Sequence, residues 1–432
     1  MSALPSLNLW RAEGLRLRRQ PLAWRALGAL LAVLLAASTW AGLEARARHE
    51  AGVAHEVRQA ERLREALQQF ADAPPGPATA VATYQLGRGD LGLTRMAVGD
   101  GLALGVQRLK QLPTALKASL DSRHVDARSS GPLLNPLLTD TGLPDVPAVV
   151  ALLLPLVALV LCTGLLQEEG EQGRLGLLRL QSRRGMGAWL VAALGWRWLA
   201  LCVVAVLGTL PALLLGPGDP AVAGPWLTAL LAFCALWVLL GGLLSLVSLS
   251  SAMALLAALG LWLLLTFIVP AALVWAAQRE APMPSRLAAI VAIRDAQQHS
   301  EDHEAQLARA WFDQHPDVAA HLPATWPASF VVRVLDQEQR LRPLLHRFDD
   351  SRARQAAFVE RWAWLSPGLA LVLHGERLAG VDTASHLRYL REVEAFENRW
   401  RDFLVPHVMN RSGITAEQLT GLPRFSGLPL RD

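Results

Sequence analysis

The sequence is short of charge, of lysine and of cysteine. Asp, Glu, Lys and Arg make up 18% of its 432 residues, against about 25% in ordinary soluble domains. Lysine occurs only at Lys110 and Lys117, so the positive charge is almost all arginine, which reads as a bias of genome composition rather than of function. The three cysteines, Cys162, Cys202 and Cys234, fall in apolar tracts. That excludes a disulfide-built scaffold and leaves them as small hydrophobes. No G-x-x-x-x-G-K-[ST] loop and no G-x-S-x-G elbow occurs, so neither that mode of ATP binding nor that hydrolase chemistry belongs to the chain. His299 and His303 stand four apart beside Glu301 and Glu304, but the order H-S-E-D-H misplaces the glutamate of a zinc-hydrolase motif. They read as a solvated helix face, with no metal or cofactor expected.

Hydrophobic residues are abundant instead, at 52% with a mean hydropathy of +0.28. This disfavours a disordered chain or a soluble enzyme and points to a membrane protein with sizeable aqueous parts. The net charge of +4 and pI near 9.4 do not imply nucleic acid. Residues 278–432 carry 19 arginines against 20 acids, which leaves no basic footprint.

Charge-free runs locate the bilayer. Residues 26–43, 146–167 and 198–218 hold no charge, and 220–278 is a gap of 59 residues. As one helix that gap would reach about 88 Å, whereas a bilayer core is about 30 Å thick. It must therefore cross twice, turning near Gly241–Ser251. Five helical spans follow, at 26–43, 146–167, 190–216, 222–244 and 252–277, because lipid offers backbone groups no partner. The first run, at 18 residues, is longer than the usual 7–15 of a signal peptide and reads as an uncleaved anchor. No acid, lysine or histidine lies deep in a span, which argues against a proton-coupled carrier. Arg197 alone interrupts the third apolar stretch, near its inner end, where it can snorkel.

Arginine sets the orientation. Arg11, Arg16, Arg18, Arg19 and Arg25 face a single Glu13 in the first 25 residues, and Arg174, Arg179, Arg183 and Arg184 follow the second span. Both segments are expected on the cytoplasmic side. The predicted order is a basic amino terminus (1–25), a span (26–43), an extracytoplasmic domain (44–145), a span (146–167), a cytoplasmic coupling loop (168–189), three spans (190–277) and a second, mainly helical extracytoplasmic domain (278–432). Residues 44–72 read as a charged helix leaving the membrane, stopped by Pro74-Pro75-Gly76-Pro77. Apolar periodicity predicts helices over 286–312, 328–346, 352–364 and 384–404. The fold class is thus mostly α, a polytopic helical membrane protein with about five spans and two extracytoplasmic domains.

The most informative stretch directly follows the second span. Its run Gly164-Leu-Leu-Gln-Glu168-Glu169-Gly170-Glu171-Gln172-Gly173-Arg174-Leu175, with Leu178, resembles the inner-loop signature of ABC type-2 (ABC-2) permeases. Asn135-Pro136-Leu137-Leu138, Gly142, Asp145 and Leu154-Pro155-Leu156 resemble the entry to the second span in a subfamily with large extracytoplasmic domains. Leu365-Ser366-Pro367, Leu378-Ala379-Gly380, Asp382, His386 and Pro423-Arg424-Phe425 look like that subfamily's outer domain. Three positions depart from it: Gly170 and Arg174 replace an arginine and a threonine, and Gly195-Trp196 stands where Gly-Lys is usual. The sixth span expected after Pro423-Arg424-Phe425 is missing, since nothing after Ala277 is apolar enough to cross, and the expectation is a specialised or degenerate half paired with a fuller partner permease.

The resemblance implies a permease subunit in a bacterial inner membrane, itself not an enzyme. An ABC ATPase subunit would drive it, and a second permease, the same or different, would pair with it. Glu168, Glu169, Glu171, Gly173, Leu175 and Leu178 would form the contact to the ATPase. The acids are expected to stay wet while the leucines make apolar contacts. A second reading stays open: a transmitter or assembly protein that couples ATPase motion to the outer domains without moving cargo. A third is a membrane-anchored enzyme.

Overall fold

The computed structural model describes residues 7–120, 144–176 and 186–425. Among the described residues five helices are long and apolar enough to cross a membrane, and the chain is a mostly α, polytopic membrane protein. A short helix α1 (Leu7–Arg18) precedes α2 (Pro21–Ala71), whose 51 residues extend about 76 Å. Pro21 starts α2 where a missing N–H costs nothing. Charge enters at Glu44, so one continuous helix crosses the apolar layer and runs on as the charged stretch read over 44–72.

The buried stripe of α2, Leu27, Leu30, Leu34, Ala37 and Ala41, faces the third span α7 (Met186–Leu215). Small residues let the backbones approach. The Ser38 hydroxyl donates to the Gly208 carbonyl at 2.6 Å, and a Cβ on Gly208 would stand 2.6 Å from that of Leu34. The second span α5 (Val146–Cys162) and the fourth α8 (Ala223–Leu244) complete the packed group. The fifth is the least enclosed. It runs as α9 (Ser251–Leu263), a wide π turn (Leu264–Ile268) and α10 (Val269–Glu280). Pro270 supplies no N–H to the preceding turn, and such a gap loosens the helical ladder. The Ser366 hydroxyl then donates to the Leu265 carbonyl at 2.6 Å.

The polar parts, read from the sequence as two domains, meet in one apolar core. The first part supplies α3 (Pro77–Arg88), β1 (Leu93–Arg95), α4 (Val106–Gln111) and β2 (Ala115–Lys117). The strands pair antiparallel, with Thr94 opposite Leu116. The second part supplies α11 (Arg286–Asp302), α12 (Glu304–Gln314), α13 (Ala328–Trp362), α14 (Pro367–Leu378), α15 (Thr383–Met409) and the short α16 (Ala416–Leu419). Phe70 and Tyr84 join Phe312, Val331, Phe396 and Trp400 in that core. Cross-links between the parts are specific. The Trp400 indole donates to the Gly87 carbonyl (3.2 Å), and the Ile414 N–H donates to the Thr83 hydroxyl (2.9 Å). The Tyr389 hydroxyl accepts from the Leu116 N–H (3.1 Å) and pairs with Thr94 (2.9 Å).

Two helix extents differ from the periodicity. The stretch 286–312 breaks at His303, while 328–346 and 352–364 fuse into the 35-residue α13, which absorbs Pro343. Helix α13 returns toward the spans. Gln355 donates to the Ala281 carbonyl (2.6 Å) and Ser351 to that of Pro282 (3.3 Å). The chain then turns into α14, which seats on the spans rather than on the core of the polar parts. Leu371 joins the spans' cluster, and a Cβ on Gly375 would meet the Pro147 ring at 2.4 Å. Among the described residues no sixth helix is long and apolar enough to cross.

Candidate functional site

The glutamate-bearing loop is a folded elbow. Helix α5 stops at Cys162, Gly164 takes the left-handed conformation (φ 85°), and α6 (Leu165–Glu171) leaves at a new angle. Gly173 repeats the device at the far end (φ 69°). L-residues rarely adopt that conformation, so both turns call for glycine. The break exposes the last carbonyls of α5, and two side chains take them. The Ser245 hydroxyl donates to Cys162 O (2.8 Å), and the Arg197 Nε donates to Leu161 O (2.7 Å). Arg197 also reaches Ala193 O at 2.9 Å and is 1% exposed. The expected snorkelling is therefore corrected: the guanidinium turns inward because the helix end supplies acceptors there.

Helix α6 is clamped on three sides. Gln167 donates to the Leu244 and Val247 carbonyls (3.0 and 2.9 Å), in the turn between the fourth and fifth spans. Glu169 pairs with Arg16 of α1 and stands 3.7 Å from Arg174. Glu171 accepts from the Ser251 N–H (2.8 Å) and from its hydroxyl, at the first turn of α9. An acid at a helix amino terminus is favourably placed. The inner face of α1 closes the arrangement: the Trp189 indole donates to Glu13 (2.7 Å) and that of Trp196 to Trp10 O (2.7 Å). Leu165, Trp189 and Ala193 form the small apolar core beneath.

The six residues singled out by the sequence thus separate. Glu168 is exposed and makes no ion pair among the described residues. Glu171 is exposed but engaged by Ser251, and Glu169 is 4% exposed. The expectation that all three acids stay wet is corrected for Glu169, because Arg16 offers it a charged partner out of water. Gly173 sits at the turn, and Leu175 is half-buried with its side chain toward Gly170 (3.8 Å from a Cβ there). Leu178 lies outside the described residues, as do Asn135–Leu138, Gly142, Arg179, Arg183 and Arg184. Sequence reading missed Arg16, Gln167, Arg197 and Ser251 as members of the site. The one signal was Glu13, a lone acid among arginines. His299 and His303 stack on each other (4.1 Å), and no cluster of three metal-ligating side chains occurs among the described residues.

A second polar group lies at the opposite ends of the spans. Asp145 accepts the N–H groups of Gln107 (2.8 Å) and Arg108 (3.1 Å), and Glu376 stands 3.9 Å from Arg108. Burial raises the pKa of both acids, only partly opposed by these partners. Nearby His386 is 6% exposed; burial, then Arg352 and Arg108, lower its pKa from 6.5 to about 4. Its neutral form is the folded one. The stability this contributes is complete above pH 6.5 and is lost as pH falls toward 4, by about 3 kcal/mol in total. His386→Asn is expected to flatten that part of the pH profile, read as unfolding midpoints in detergent. An unchanged slope would remove His386 as its source.

Residues 286–426, running from α11 past α16, match the sequence pattern of a domain of unknown function, DUF3526. No curated protein and no solved structure matches the chain.

Proposed function

We propose that this chain is the membrane-spanning permease subunit of an ABC-type (ABC-2) transporter in a bacterial inner membrane. A separate ATPase drives it, and a second permease, identical or different, pairs with it. ATP hydrolysis belongs to the partner, and the cargo is moved rather than altered. The observation that carries this reading is the elbow. Its exposed rim offers Glu168, Gln172 and Arg174, while its inner side is tied to α1, to the turn after the fourth span and to the first residue of the fifth. A force on the rim is therefore delivered to several spans at once. The contact of α1 with α6 also supports placing the basic amino terminus and the elbow on one side of the membrane, as the arginines require.

The second reading, motion transmitted to the outer body without cargo, is favoured by α14. It is wedged against the second, fourth and fifth spans and bonded through Ser366 to the π turn. Movement of the fifth span would reach α13 and α15 through it.

The test is co-purification of the detergent-solubilised chain with its ATPase. Glu168→Arg is expected to reduce ATPase recovery about tenfold, equivalent to roughly 1.4 kcal/mol of contact energy. Helicity should be unchanged, since Glu168 is exposed. Unchanged recovery would remove the elbow's assigned role. Transport of a candidate cargo into vesicles by the reconstituted complex separates the two readings.

A further inference from the structure

Among the described residues, nothing covers the outer face of α1. Arg11, Leu15 and Arg18 are exposed and recur at helical spacing on one side, and Arg19, just past the helix end, is exposed beside them. Trp10, Glu13 and Gly14 on the other side meet Trp196 and Trp189 of α7, Arg16 reaches Glu169 of α6, and Leu17 is buried in the spans' cluster. The four arginines Arg11, Arg18, Arg19 and Arg25 make no ion pair among the described residues. Glu13, the lone acid of this segment, is turned inward and taken by Trp189. Leu15 is 55% exposed and Leu22, at the start of α2, 69%.

We propose that this face is a docking surface for the anionic headgroups of membrane phospholipids. Covalent continuity fixes its level. Arg25 directly precedes the charge-free tract of α2, and only Arg19 and Gln20 separate α1 from that helix. The face therefore lies at the headgroup layer, not free in solution. There guanidinium groups meet phosphates in paired hydrogen bonds. Leu15 on the same face, with Leu22 at the start of α2, enters the acyl boundary, as in helices that lie along a membrane surface. An acidic protein surface would satisfy the arginines but would leave Leu15 and Leu22 facing the apolar boundary beside it. The inference rests on the membrane-spanning fold and not on the transport reading. It has a structural consequence, because the helix that binds headgroups also holds Glu169 through Arg16.

The experiment is native mass spectrometry of the full chain in detergent, titrated separately with phosphatidylglycerol and with phosphatidylcholine. The wild type is expected to retain phosphatidylglycerol at least about tenfold better, and R11E/R18E/R19E to level the two lipids. R11K/R18K/R19K keeps the charge and should keep the preference. If the reversed variant does not fold, R11Q and R18Q read the same loss in smaller steps. Equal retention of both lipids by the wild type overturns the proposal. So does a reversed variant that keeps its preference while losing a co-purifying protein, which would assign the face to that protein.

Discussion

Arg197→Ala is expected to lower the stability of the chain by about 3–5 kcal/mol. The side chain makes two charge-assisted hydrogen bonds to carbonyls, at 2.7 and 2.9 Å, each worth roughly 1.5–3 kcal/mol. Against this stands the cost of burying a guanidinium, several kcal/mol. Removing the residue relieves that cost, so the sign depends on what is left behind. Leu161 O lies at the broken end of α5, in a site 1% open to solvent at Arg197. No helical N–H replaces the lost donor, and alanine adds a void. Arg197→Met keeps most of the packing and should cost about 1–3 kcal/mol, the price of one unpaired buried carbonyl. Denaturant titration in detergent micelles gives both values. If Arg197→Met is as stable as the wild type, the carbonyl clamp contributes nothing.

Trp400→Ala should cost about 3–5 kcal/mol, the usual range for a large aromatic in a core. Trp400 is fully buried, contacts Phe396 and donates to Gly87 O. The regional pattern matters more than the size. Hydrogen exchange is expected to quicken over Pro77–Arg88 together with Thr383–Met409, because the two segments share one core. Faster exchange confined to the second segment would mean two independently folding units.

The different fates of these residues explain what could be read in advance. The spans were legible because hydrocarbon excludes charge, and that rule acts on every residue without reference to its partners. The charged continuation of α2 was legible for a similar reason: helical continuity is local. The fusion across Pro343 was not, because proline ends an isolated helix, and the packing that tolerates it comes from α11 and α15. Glu168, Glu169 and Glu171 look alike in sequence. They differ in the structure only because Arg16, 153 residues away from Glu169, and Ser251, 80 residues from Glu171, arrive beside them.

The chain alone settles a helical membrane protein with five apolar crossings and glycines where the elbow must turn, since solvent exclusion and backbone sterics are properties of short segments. Which acid is buried, which carbonyl Arg197 meets and whether the polar parts form one body were left to the tertiary fold. Each depends on a partner brought close by packing, and a buried charge or carbonyl takes its energy from that partner rather than from its neighbours in sequence.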